Sequence, residues 1–191
     1  MRKEFERSRI TFKTSSSSKG QSQIQKALAK EAETKEGVTS DVINNFLVNI
    51  PNFYGCFASD ELDNFLFDSL PFSIIVNFDP AGSSGSHWVA LHVEKRQVEF
   101  FDPLGFDMES WPKFPTELIE FVRNISFHRR LLISRRLQPE NSTLCGFYCI
   151  YYIAVRMTNT LNHITNKFSL DLSVNDSILS DLLYKTDFNK F

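Results

Sequence analysis

Three residues of this chain could act together in acyl transfer: His87, Asp102 and Cys145. Cys145 follows Ser142 and Thr143 at the start of a long apolar run, which predicts a thiol in the first turn of a helix. The positive end of a helix dipole and a nearby imidazolium both favour a thiolate. A carboxylate that accepts from one ring nitrogen fixes the histidine tautomer and leaves the other nitrogen to exchange a proton with the nucleophile.

The spacing of His87 and Asp102 predicts that they meet on one face of a β-hairpin. Residues 87–93 and 97–102 each have the composition of a strand, and the stretch between them is short. With a loop of two or four residues, the two side chains form a diagonal pair roughly 7 Å apart at Cβ. A three-residue loop would separate them. The alternative is a histidine at a strand end and an aspartate that caps the turn at Pro103.

The loop before Cys145 offers groups that could stabilise an oxyanion. Gln138 carries an uncharged amide, and the backbone N–H of Cys145 is a second candidate donor. Gly146 removes side-chain bulk where a substrate carbonyl would approach. Cys149, one helical turn further on, is interpreted as a small core residue. No metal site is expected, because the cysteines and histidines lack the spacing of zinc ligands.

Composition predicts a globular chain with a polar N-terminal segment. The chain has 191 residues, of which 42% are hydrophobic and 23% charged, with a net charge of -2. Residues 1–37 contain nine Lys or Arg and five Glu, and we expect a basic tail or linker that cannot dock firmly. Residues 38–191 form the expected domain. Nothing suggests secretion or a membrane helix, so a reducing, intracellular setting is expected.

The order of predicted elements indicates an α+β fold. Helices are expected after Ser40 and at 116–124, 144–155 and within 169–183, and strands at 72–78, 87–93, 97–102 and 131–134. Because these elements lack a regular βαβ alternation, the fold predicted is a mixed β-sheet flanked by helices. The segment 144–155 is apolar on every side and predicts a central buried helix that carries the nucleophile.

Four fragments in order resemble the adenovirus protease (adenain) family of cysteine endopeptidases. They are residues 52–60, 85–90 (Gly-Ser-His-Trp-Val-Ala), 100–106 (Phe-Phe-Asp-Pro-Leu-Gly-Phe) and 138–149 (Gln-Pro-Glu-Asn-Ser-Thr-Leu-Cys-Gly-Phe-Tyr-Cys). This family occurs in adenovirus-like DNA viruses and virus-like DNA transposons, and shares its fold with the ubiquitin-like-protein-specific proteases. The similarity covers about residues 38 to 160.

The resemblance implies a role for each matching residue. His87 would be the general base and acid, Asp102 its orienting partner, Cys145 the nucleophile and Gln138 the oxyanion donor. Trp88 would narrow the cleft and suit substrates with glycine before the scissile bond, or it could be an ordinary core residue.

Two features depart from the family pattern. Asp102 stands where adenovirus enzymes have Glu, and no cysteine lies between Asp102 and Gln138 to bind the family's activating peptide covalently. The family also uses DNA as a cofactor. Five arginines are candidate DNA contacts, although such a run is more often a solvated face: Arg123, Arg129, Arg130, Arg135 and Arg136.

The sequence thus predicts a thiol endopeptidase that cleaves capsid or core precursor proteins near glycine during virion maturation. It is expected to be a monomer, located in the host nucleus or cytoplasm and in the virion. The chemistry requires no cofactor, while the resemblance leaves DNA and an activating peptide open. Two alternatives remain: a protease that removes a ubiquitin-like modifier, and an inactive relative that binds DNA or capsid protein.

Overall fold

A five-stranded mixed sheet forms the centre of the computed structural model, which describes residues 18–34 and 37–188. The strands lie side by side in chain order: β1 (Phe53–Ala58), β2 (Phe72–Asn77), β3 (Trp88–Val93), β4 (Gln97–Phe101) and β5 (Arg130–Ile133). The outer pairs β1/β2 and β4/β5 are parallel, and the inner pairs β2/β3 and β3/β4 are antiparallel.

Helices cover both faces of this sheet. In the described part of the chain they are α1 (Ser18–Thr34), α2 (Ser40–Leu47), α3 (Thr116–Ser126), α4 (Cys145–Arg156), α5 (Leu161–Thr165) and α6 (Asn175–Lys185), with short 3-10 turns at Ser59–Asn64 and Leu172–Val174. The predicted α+β class with a mixed sheet is therefore confirmed. None of the helices described here is both long and apolar enough to cross a bilayer.

The sheet separates two apolar clusters. Alternate strand residues such as Ile75, Ala90 and Phe101 pack with the helix α4, and their neighbours, such as Val76 and Phe100, pack with α3. This is the two-residue period of a strand that is covered on both faces. Double coverage explains why β2 is a continuous buried run.

The β3/β4 hairpin has the register that the sequence analysis required. Ala90 pairs with Phe101 and Val93 with Val98, and the hydrogen bond from Glu94 N to Gln97 O closes the loop. Continued past the ends of the strands, this register places His87 and Asp102 as the predicted diagonal pair.

The N-terminal segment differs from its prediction. Helix α1 packs against α6, and Ile24 is only 1% exposed within the main core. Ala27 and Leu28 are half-buried against the same cluster. For residues 18–34 the expectation that the segment cannot dock firmly is thus corrected, because Ile24, Ala27 and Leu28 at helical spacing form a narrow but sufficient apolar stripe. Residues 1–17 of the expected tail lie outside the described residues. The division of the chain after residue 37 stays a prediction.

Candidate active site

The end of β3 and the end of β4 bring His87 and Asp102 into direct contact. His87 Nε2 donates a hydrogen bond to Asp102 Oδ1 across 2.7 Å. The side chain of His87 is 4% exposed and that of Asp102 is 0% exposed. A short, buried, charge-assisted hydrogen bond of this kind fixes the orientation of the ring.

The carboxylate of Asp102 is held by the turn that follows β4. Its Oδ1 also accepts from the backbone N–H of Leu104 at 2.9 Å, and its Oδ2 accepts from the N–H of Phe106 at 2.8 Å. Gly105 allows this turn, because its φ of +64° and the close backbone of Arg136 leave no room for a Cβ. Each carboxylate oxygen therefore has a backbone donor.

Ser134 at the end of β5 binds the backbone of Asp102 at two points. Its hydroxyl accepts from Asp102 N at 2.9 Å and donates to Asp102 O at 3.0 Å. Ser134 is buried, so this contact ties the edge strand β5 to the residue that orients His87. The sequence analysis did not identify Ser134, whose polar character at the end of an apolar strand was the available signal.

Cys145 is buried at the first position of α4 and interacts with the imidazole of His87. His87 Nδ1 is buried and has no hydrogen-bond partner within residues 18–34 and 37–188. Burial by itself lowers the pKa of His87, but the neighbouring Asp102 and Cys145 outweigh burial and raise that pKa to about 9. With this pKa the imidazole of His87 is protonated at neutral pH.

Aromatic rings surround the imidazole on its remaining sides. Phe78 meets it edge-on with ring centres 4.9 Å apart, and Phe106 lies at 5.5 Å. Phe106 is in turn stacked on Trp111 at 4.0 Å. These rings keep water from the His87–Asp102 pair, and neither phenylalanine was identified from the sequence.

Gln138 lies beside the same cleft. Its side-chain Nε2 donates one hydrogen to the carbonyl of Ser142 at 2.7 Å, which fixes the amide. Nε2 carries two hydrogens, so one N–H remains for an oxyanion. Gln138 Oε1 and His87 Nδ1 are the two buried side-chain atoms, among the nitrogen and oxygen atoms of the described residues, that lack a hydrogen-bond partner.

A cleft of about 590 Å³ contains these groups. His87, Trp88, Gln138 and Cys145 all line it, and the glycine-rich loop 81–86 forms part of its wall. The volume is in the range of ordinary ligand sites. The structure therefore brings together every polar residue that was predicted to take part in catalysis, and Trp88 beside them.

A known sequence family matches most of this chain. Residues 53–181 match the family described as Adenovirus endoprotease. The chain belongs to that family. It is a cysteine protease of the adenain type, and the resemblance drawn from the sequence is confirmed. No curated protein sequence matches this chain.

Solved structures of two proteases are similar to this family member. ASFV pS273R protease aligns with 17% identity and a TM-score of 0.54, over 79% of this chain and 67% of that chain. A selenomethionine form of the same protease aligns with 16% identity and a TM-score of 0.51, over 83% and 74%. SUMO protease Ulp1 aligns with 16% identity and a TM-score of 0.44, over 90% and 94%. At these identities the pS273R structures show the shared fold.

Gly146 has a different surrounding from the one predicted. It does not line the cleft of this adenain-type protease. A Cβ at this position would collide with Val38 Cγ1 and would lie 3.1 Å from Trp88 Cδ1. The glycine thus makes room for Val38 of the chain itself, and its assignment to the substrate cleft is corrected.

Several of the five candidate DNA-binding arginines have structural contacts. Arg129 donates to the carbonyls of Glu94 and Ile125, and Arg135 donates to four carbonyls, of which Thr165 and Phe168 lie at 2.9 and 2.8 Å. Arg136 Nε donates to the carbonyl of Gln138 at 3.2 Å. The other two candidates, Arg123 and Arg130, are exposed. The sequence analysis could not separate these roles, because residue type alone does not show whether an arginine donates to backbone carbonyls or faces solvent.

Proposed function

We propose that this cysteine protease is a thiol endopeptidase in which Cys145 is the nucleophile and His87 the general base and acid. The observation that carries the proposal is the environment of the His87 imidazole. Its Nε2 is hydrogen-bonded to Asp102, and its buried Nδ1 has no hydrogen-bond partner among the described residues. The ring interacts with Cys145. This is the geometry in which one ring nitrogen is oriented and the other can transfer a proton.

The reaction would proceed in two acyl-transfer steps. The thiolate of Cys145 attacks the scissile carbonyl carbon, and the oxyanion that forms accepts from the N–H of Cys145 and from Gln138 Nε2. The His87 imidazolium gives its proton to the leaving amine as the C–N bond breaks. Neutral His87 then removes a proton from water, which attacks the thioester and releases the acid and the regenerated thiol.

We further propose that the substrates are viral capsid or core precursor proteins that are cut near glycine. Support comes from membership in the adenovirus endoprotease family and from Trp88, a bulky side chain that lines the cleft next to His87. Glycine, which has no side chain, fits most easily beside the Trp88 ring. Cleavage of precursors during virion assembly places the enzyme inside the infected cell and in the particle.

DNA is proposed as an activating ligand for two reasons. The family resemblance implies it, and Arg123 in α3 and Arg130 at the start of β5 are both exposed. A backbone contact of this kind is salt-dependent, with a slope that reports the number of phosphates neutralised. Activation that is lost at high salt is therefore the expected behaviour.

Cleavage of a peptide that contains Gly-Gly, measured with and without DNA, tests this proposal. The same preparation is offered a folded ubiquitin-like modifier conjugated to lysine. We expect peptide cleavage by the wild type and by Cys56→Ala, and none by Cys145→Ala. Exclusive action on the folded conjugate would contradict the viral-maturation role and favour a modifier protease. Cleavage by Cys145→Ala would contradict the mechanism.

A further inference from the structure

The segment that precedes α2 forms one wall of the active-site cleft. Residues 37–40 line the same cavity as His87 and Cys145. Val38 is the buried member of this segment, with 7% of its surface exposed. Nothing in the proposed mechanism uses these residues, although they lie next to the reacting groups.

Val38 makes two separate contacts beside the nucleophile. Its carbonyl accepts a hydrogen bond from the indole N–H of Trp88 at 2.9 Å. Its Cγ1 fills the space that the absent Cβ of Gly146 leaves open on α4. Gly146 directly follows Cys145, so the side chain of Val38 docks on the first turn of the nucleophile helix.

These contacts determine the position of the indole ring rather than of the strand. The backbone of Trp88 is fixed by pairing with Asn77 in β2 and by the contact of its carbonyl with the Cys149 thiol at 3.3 Å. Neither contact restrains rotation of the side chain. The hydrogen bond to Val38 restrains it directly, because a partly buried indole N–H needs an acceptor.

We infer that Val38 is a positioning residue that holds the Trp88 indole beside the first turn of α4 at the cleft and so enforces a small residue before the scissile bond. This inference rests on the proposed endopeptidase function and extends it. When the Val38 side chain no longer packs against Gly146, the Val38 carbonyl moves and the indole N–H of Trp88 loses its acceptor. The cleft then widens beside Cys145, while His87, Asp102 and Gln138 keep their partners.

A matched pair of peptides tests the inference on the full-length protein. The two peptides differ only in glycine or alanine before the scissile bond, and kcat and KM are measured for wild type and Val38→Ala. The wild type is expected to favour glycine by about tenfold or more, the discrimination typical of one methyl group in a restricted pocket. In Val38→Ala we expect this ratio to fall below about threefold.

Two controls separate specificity from a general loss of stability. Val122→Ala truncates a valine that is 1% exposed in α3, in the cluster on the opposite face of the sheet, and should leave the ratio unchanged. Val38→Thr keeps the shape of the side chain and should retain the wild-type ratio. If Val38→Ala does not fold, Trp88→Phe removes the indole N–H directly and should lower the ratio in the same way.

Fluorescence reports the contact without requiring activity. In a Trp111→Phe background Trp88 is the single tryptophan of the chain. Val38→Ala should shift its emission to the red and increase quenching by acrylamide, and Val122→Ala should do neither. A glycine-to-alanine ratio that Val38→Ala leaves unchanged, or an unchanged Trp88 emission, overturns the inference. Absence of cleavage by the wild type would instead overturn the proposed function, and the emission would still decide whether Val38 holds Trp88.

Discussion

His87 and Asp102 are joined by a buried hydrogen bond of 2.7 Å between Nε2 and Oδ1. The bond determines which nitrogen faces the nucleophile, because Nε2 is occupied and Nδ1 remains. Two backbone N–H groups and Ser134 in turn hold Asp102. The orientation of the imidazole therefore depends on β5 and on the turn after β4 as well as on the hairpin.

Asp102→Asn should remove the orientation of His87. When the asparagine oxygen takes the place of Oδ2 it still accepts from the N–H of Phe106, but the NH₂ group then takes the place of Oδ1 and faces both His87 Nε2 and the N–H of Leu104. The ring would carry its proton on Nδ1, which could no longer accept one from Cys145. We expect kcat to fall by about 10²- to 10³-fold, the contribution of a positioned general base.

Asp107→Asn is the matched control for that measurement. Asp107 lies in the same loop and is exposed, and its carboxylate binds only the neighbouring Ser110 and the backbone of Glu109 among the described contacts. Its substitution should leave kcat unchanged. Equal losses in the two variants would show that the effect of Asp102→Asn comes from disruption of the loop.

The stabilisation contributed by His87 should be lost at alkaline pH. Because the pKa of His87 is raised from 6.5 to about 9 in the folded chain, its contribution is fully present below pH 6.5 and disappears as the pH rises through 9. The difference between these pKa values corresponds to roughly 3 kcal/mol. The free energy of unfolding in urea should therefore fall more for wild type than for His87→Gln between pH 6 and 9.5.

The groups other than His87 are common to both of these proteins, so their effect cancels in the difference. A difference between wild type and His87→Gln that stays constant over this pH range would contradict the protonated state assigned to His87.

Ser134→Ala should destabilise the protein and weaken catalysis together. The substitution leaves both Asp102 N and Asp102 O without their buried partner. We expect a loss of about 1–3 kcal/mol in the free energy of unfolding, the usual effect of orphaned buried polar groups. The half-buried Ser126, whose hydroxyl donates to a carbonyl of its own helix, provides the control. A wild-type kcat in folded Ser134→Ala would show that Ser134 does not position the carboxylate.

Arg135 and Arg123 should separate a structural role from a DNA-binding role. Arg135→Ala removes the donor to the carbonyls of Thr165 and Phe168 and should lower the free energy of unfolding by about 1–3 kcal/mol. Arg123 is 66% exposed and has Glu109 at 3.9 Å, so Arg123→Ala should change stability by less than about 0.5 kcal/mol. Fluorescence anisotropy with labelled DNA should show weaker binding for Arg123→Ala. Unchanged binding would argue against a DNA contact there.

The hairpin pair could be predicted from the sequence because strand geometry determines it. Period-two alternation and a short loop of even length place His87 and Asp102 on one face whichever even loop is formed. The thiol at the start of a helix was predicted on similar local grounds. The start of this helix differs from a capped one: Leu144 precedes the helix without a side-chain cap, and Ser142 Oγ accepts from the N–H of Leu144.

Features that depend on distant packing could not be predicted. Strand β1 contains Gly55 with a φ of +122° and follows turn residues, so its pattern resembles a loop until it pairs with β2. Gly146 was interpreted through its neighbour Cys145, although the residue that requires it is Val38, far away in sequence. Ser134 and Phe78 reach the site only because the sheet brings their strand ends together.

Alkylation of the three cysteines at pH 6 tests the activation of Cys145 by His87 most directly. Peptide mapping after iodoacetamide treatment gives the rate at each thiol. Burial and the nearby Asp41 raise the pKa of Cys56 to about 12, and burial raises that of Cys149 well above its usual value, so both should react slowly. We predict that Cys145 is modified far faster than either and that peptide cleavage is lost in parallel. A Cys145 thiol that reacts no faster than Cys56 would contradict the assignment.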